Sequence, residues 1–138
     1  MANFGDELRS APAQAKAQAD AAQAKRIAEY EAEQRRIVDG AVSHFQGQCR
    51  IAAEQGKRSI DCRPEPHGYG AVYYGDLGIS MISFSARKYA EKRIAGLIPE
   101  VEKRLATMGL RSYHVSADKI TTPYPTRHYV GFRIKASW

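Results

Sequence analysis

At 138 residues the chain has room for one compact domain of usual size plus an appendage, and a composition of 43% hydrophobic and 26% charged residues is ordinary for a globular protein. No run approaches the roughly 20 apolar residues that span a bilayer, and the first 30 residues hold no apolar signal core, so a soluble protein without membrane association is expected. The net charge of +6 is uneven: residues 1–56 carry seven Lys/Arg against eight Asp/Glu and residues 57–138 fourteen against seven, a polarity that suits nucleic acid, nucleotides or an acidic protein surface.

The stretch APAQAKAQADAAQA, residues 11–24, has high helix propensity and no large side chain to bury. It reads as an Ala-rich helical extension over residues 1–26, with the rest of the chain, 27–138, as a single domain. Two readings of the extension stand side by side: a solvated helix, or a docking helix. The second rests on Ala17, Ala21, Ala24 and Ala28, whose spacing places four small side chains on one face where another helix can approach closely.

From Ile27 onward Tyr30, Ile37, Val38, Ala41, Val42, Phe45, Cys49 and Ala52 recur at helical spacing, predicting a long helix with a buried stripe. Gly40 and Gly47 are candidate bend points, and Gly56 a candidate left-handed cap. KRSIDCR then alternates, which predicts a short strand with Ile60 and Cys62 on its inner face. Residues 64–84, rich in Pro and Gly at their start, read as a loop or irregular hairpin insertion in which ISMISF is a strand or the return to the core. Ala90, Ile94, Leu97, Val101, Leu105 and Met108 predict a second helix from Ser85, kinked or divided at Gly96 and Pro99 and capped by Gly109.

YHVSAD and HYVGFRIKA follow as two strands joined by a loop longer than two residues that contains Pro123 and Pro125. The expected fold is therefore α+β: a long N-terminal helix, then a small, mainly antiparallel sheet of three to four strands covered on one face by helices.

No motif for catalysis, metal or nucleotide binding is strong. His44, Cys49, Cys62 and His67 have a symmetric spacing that suggests zinc, yet helical residues five apart point about 140° away from each other, which separates His44 from Cys49. Both cysteines fall on apolar stripes and read as free, inert thiols, with a single bridge between them as the alternative. There is no G-x-S-x-G sequence, and GYG and YYGDLG lack the spacing of phosphate loops. A non-enzymatic protein without metal or cofactor is expected.

Strand alternation sends Arg63, His114, Tyr129, Arg133 and Lys135 to the face away from the helices, a candidate contact surface for a ligand or partner; the alternative is an ordinary solvated sheet face. Tyr69, Tyr73 and Tyr74 form a second candidate interface in the 64–84 segment.

Taken together, IAAEQGKRSIDCR, VEKRLATMGLRSYHV and YVGFRIKASW resemble short proteins of tailed bacteriophages and prophages. In these a helix ends in Gly, a strand follows, a second helix ends in Leu-x-x-x-Gly, and a hairpin finishes in a terminal Trp. The resemblance covers about residues 37 to 138 apart from most of 64–84, and brings no catalytic residues. It implies a phage setting, in the virion or the host cytoplasm, and two competing roles. One is a virion structural or assembly component that docks on other phage proteins or on itself as a homo-oligomer. The other is an accessory protein, anti-defence or regulatory, that binds nucleic acid or sequesters a nucleotide through the basic C-terminal half.

Overall fold

The computed structural model describes residues 3–65, 70–76, 80–123 and 126–138, with only the backbone of Asp76 and residues 80–84. Helix α1 spans Phe4–Glu54, strand β1 Ser59–Cys62, β2 Ala71–Asp76, helix α2 Ser80–Ala106, β3 Ser112–Pro123 and β4 Thr126–Ser137. The chain divides into two compact units, Met1–Gln34 and Arg35–Trp138.

The first unit is helical. Asn3 caps it: its side-chain oxygen accepts from the Asp6 amide at 2.9 Å, and the Asp6 carboxylate accepts from the Asn3 amide at 3.4 Å, a reciprocal capping box. Every side chain from Ala11 to Glu33 is exposed. Ile27 and Tyr30, expected in the buried stripe, are 52% and 46% exposed, because they belong to this unit and the buried series begins only at Ile37.

In the second unit Ile37, Val38, Ala41, Val42, Phe45 and Ala52 are buried and lie on one stripe of α1, as their spacing requires. The helix runs unbroken through Gly40 and Gly47 and stops at Gly56, whose φ of 80° provides the left-handed turn; the Lys57 amide then reaches back to the Ala52 carbonyl at 2.9 Å. Helix α2 buries Ala90, Ile94, Leu97, Val101 and Leu105. It is a single helix through Pro99, not two: Ala95, Gly96 and Pro99 all lie on its exposed side, where the carbonyl deprived of a donor can turn to water. Gly109, with φ of 69°, ends this segment and Leu110 folds back onto the core.

The sheet is organised around β4. Strand β3 pairs with it antiparallel along its whole length, from Ser112 opposite Ser137 to Pro123 opposite Thr126. On its other side β1 lies beside the C-terminal half, Cys62 opposite Ile134, and β2 beside the N-terminal half, Ala71 opposite Gly131. Thus β1 and β2 lie along one edge of β4, separated in sequence by residues 63–70.

Two expectations change here. The 64–84 segment is not wholly loop, since Ala71–Asp76 pairs with β4 and residues 80–84 are already helical, which rules out the strand alternative over those residues of ISMISF. The β3–β4 connection is short, because pairing continues to Pro123 and Thr126 and leaves only residues 124 and 125, which lie outside the described set. In both cases pairing with β4 overrides the Pro and Gly signals, which report only local preference.

Val130, Phe132, Ile134 and Ala136 of β4, with Val115 of β3 and Cys62 of β1, face the helices and close one core with α1 and α2. Burial of Phe45, Ile94, Leu105, Ile134, Val101 and Val130 is complete, and each contributes about 1.5–3 kcal/mol relative to exposure. Both helices therefore cover one face of an α+β sheet, as the sequence implies, and no described helix covers the other. No described helix is long and apolar enough to cross a membrane.

Candidate functional site

The uncovered face follows from the register of β4. With its even-numbered residues from Val130 to Ala136 buried, Tyr129, Gly131, Arg133 and Lys135 must point away from the helices, and their partners with them. Across the sheet this aligns Ser59, Ser137 and Ser112 in one row, Asp61, Lys135 and His114 in the next, and Tyr73, Tyr129 and Ile120 near the far end. Arg63, His114, Tyr129, Arg133 and Lys135 are thus on one face, brought together from three segments.

Their charges are not equally available. Arg133 donates from Nε and Nη2 to the two carboxylate oxygens of Asp61, at 2.9 and 2.6 Å. Arg63 donates from Nη2 to Oδ2 of Asp118 at 2.9 Å. Since β1 and β3 flank β4 on opposite sides, this contact passes over the β4 backbone. It does so near Gly131, the residue opposite Asp118 that has no side chain to obstruct it. Alternation sends Asp61 outward beside the arginines, and Asp118 has the same parity, but only the strand register pairs these carboxylates with them. Lys135 and His114 make no ion pair among the described residues.

The hydrogen bonds from Arg133 hold the Asp61 carboxyl below the ordinary aspartate range, with the charges of Arg133, Lys135 and Arg63 adding to the effect. The same bonds raise Arg133 further.

At the far end Tyr73 and Tyr129 pack with ring centroids 5.6 Å apart and planes tilted by 58°. Tyr74 is turned the other way: it packs against the core and stacks on His128 at 5.5 Å. The three tyrosines expected as one interface are therefore separated, with Tyr73 outward, Tyr74 inward and Tyr69 outside the described residues. Ala17, Ala21, Ala24 and Ala28 are all exposed in the first unit.

Concavities among the described residues border β1 on both sides. A groove of about 690 Å³ runs between the end of α1 and β1, past His44, Gln48, Ile51 and Asp61. Its histidine is already engaged: His44 Nε2 is 3.1 Å from the Arg63 carbonyl and Nδ1 is 3.2 Å from the Glu65 carboxylate, so the ring ties residues 63–65 to α1. A shallower hollow of about 440 Å³ lies over the serine row and the Asp61, Lys135, His114 row. Alternation in KRSIDCR sends Ser59 outward, but nothing local reveals that residues 59, 112 and 137 are neighbours.

The thiols are poorly suited to nucleophilic chemistry. Burial pushes Cys62 up to about 11, with Cys49 and Asp61 contributing, and burial also raises Cys49. His44 faces a carbonyl and a carboxylate, and His128 Nδ1 lies 2.8 Å from Thr121 Oγ1. No group of three or more His, Cys, Asp or Glu placed to hold a metal occurs among the described residues.

Compared with known proteins, the chain matches no family model, no curated protein and no solved structure.

Proposed function

We propose that this chain is a non-enzymatic assembly component of a tailed-phage virion that works through protein–protein contacts of its N-terminal helix, with a second copy of the chain as the first partner. The observation that carries the reading is the exposure of the first unit. A continuous helix from Phe4 presents Phe4, Leu8, Ile27 and Tyr30 together with the small-residue face of Ala17, Ala21, Ala24 and Ala28, and covers none of these faces within its own unit. Two such faces can pack with helix axes about 8–10 Å apart, burying apolar surface that a lone helix leaves in water. The phage setting rests on the resemblance of the helix, strand and terminal hairpin segments.

The test is sedimentation of the full chain beside a variant carrying Ala21→Glu, Ala24→Glu and Ala28→Glu. Glu keeps helix propensity high while placing like charges on the face. The expected result is an oligomer that dissociates in the variant with its helical circular dichroism retained. A wild-type chain that sediments as a monomer, or a variant that associates as the wild type does, overturns the reading.

A second reading is favoured by the outer sheet face, where the tilted Tyr73–Tyr129 pair and the Lys135–His114 pair share one surface. That combination supports binding of nucleic acid or a nucleotide, the tyrosines offering stacking surfaces and Lys135 an electrostatic contact. Its signature is DNA or RNA binding that weakens with salt and is lost in Arg133→Ala and Lys135→Ala.

A further inference from the structure

We propose that the hollow formed by Ser59, Ser112, Ser137, His114 and Lys135 is a binding site for a single phosphate group. The inference deepens the nucleic-acid or nucleotide reading and rests on it for the biological source of the phosphate, but the site itself is argued from geometry.

Three neighbouring strands place three serines side by side: Ser59 is opposite Ser137 on β4, and Ser137 is opposite Ser112 on β3. All three have outward parity, and all line the hollow of about 440 Å³. Ser112 Oγ and Ser137 Oγ are 2.6 Å apart, so one donates to the other and one O–H of the pair is left to donate outward. Ser59 adds a second hydroxyl donor. In the adjoining row Lys135 supplies a compact cation with three N–H donors, flanked by His114. A phosphate offers acceptors in several directions, and hydroxyls beside an ammonium group match it.

Asp61 also lines the hollow, and its carboxylate would repel an anion if left alone. It is not alone, since both its oxygens accept from Arg133. With that pair neutralised internally, Lys135 leaves the hollow with a net positive charge. Backbone bonds hold its rim: the Arg111 amide donates to the Ser137 carbonyl at 2.8 Å and the Trp138 amide to the Arg58 carbonyl at 3.0 Å. The rim thereby also brings the basic residues Arg58 and Arg111 to this end of the sheet.

Tyr129 lies six residues from Lys135 on the same face of β4, a separation of about 20 Å. A short single strand seated by a phosphate in the hollow could reach the tyrosine pair, whereas a small phosphorylated molecule could not. This difference separates the two sources of the same ligand chemistry.

The experiment is a titration of the full chain with sodium phosphate, followed by amide resonances and compared with sodium chloride at matched ionic strength. Saturable shifts confined to Ser59, Ser112 to His114 and Lys135 to Ser137 are expected with phosphate and not with chloride. Lys135→Gln and the double change Ser112→Ala with Ser137→Ala are each expected to weaken phosphate binding about three- to tenfold. The unchanged dispersion of the remaining resonances shows that each variant is folded.

A second titration uses a short single-stranded oligonucleotide. Shifts extending to Tyr73 and Tyr129 identify nucleic acid as the source, while hollow shifts with phosphate alone identify a small phosphorylated ligand and leave the nucleic-acid reading without support. Equal shifts in chloride, or phosphate affinity unchanged in both variants, overturn the site.

Discussion

Arg133 grips Asp61 through two parallel hydrogen bonds, one of 2.9 Å from Nε and one of 2.6 Å from Nη2, across the outer face of the sheet. The pair lowers the folded-state pKa of Asp61, first through the hydrogen bond from Arg133. Its stabilisation is therefore fully present above the ordinary aspartate value of about 3.9 and is lost as pH falls through the lower folded value. Asp61→Asn is expected to unfold at a lower urea concentration than the wild type at neutral pH, with the two midpoints converging in strong acid. A gap that persists unchanged in acid would assign the effect to something other than this carboxylate. By releasing Arg133, the same variant is also expected to bind phosphate more tightly.

Two glycines, Gly70 before β2 and Gly131 on β4, are packed too closely to admit a methyl group. A Cβ at Gly131 would lie 2.5 Å from Pro64 Cβ, and one at Gly70 would lie 2.7 Å from the backbone nitrogen of Ala41. Gly131→Ala and Gly70→Ala are each expected to cost about 1–3 kcal/mol in denaturant titrations. Gly96→Ala is the contrast: it lies on the exposed side of α2 with nothing within 4 Å, and is expected to stabilise by about 0.5–1 kcal/mol through helix propensity. A loss at Gly96 equal to that at Gly70 would refute the packing argument.

Phe45 is among the largest fully buried side chains and Ile51, on the same helix, is 48% exposed. Phe45→Ala is expected to cost about 3–5 kcal/mol, the removed surface plus the cavity, whereas Ile51→Ala should stay within roughly 0.5 kcal/mol. Thermal or urea unfolding of the two variants reads the difference directly.

Burial pushes the Cys62 thiol up to about 11, above the ordinary thiol value of about 8.5. A folded value above the unfolded one means that its contribution is intact at neutral pH and declines as pH rises from the unfolded value through the folded one. Thiol labelling at neutral pH is expected to be slow in the native chain and fast in denaturant, and Cys62→Ala should flatten the alkaline loss of stability. Fast native labelling of Cys62 would show it to be accessible and ionised, reopening nucleophilic chemistry.

Periodicity alone was enough for the elements whose residues interact along the chain. The spacing of Ile37 to Ala52 and of Ala90 to Leu105 defined both buried helical stripes, Gly56 and Gly109 marked the turns after them, and alternation in β4 assigned Val130, Phe132 and Ile134 to the core. It also placed Arg63, His114, Tyr129, Arg133 and Lys135 on the opposite face. What it left open depended on which strand pairs with which. Ala71–Asp76 is a strand because β4 offers it backbone partners, despite the surrounding glycines. The serine row exists only because β1 and β3 flank β4, and the same arrangement lets Asp61 and Asp118 neutralise the two arginines. Side-chain period is a property of consecutive residues, legible in the sequence; register and charge pairing join residues tens of positions apart, and only the tertiary structure decided them.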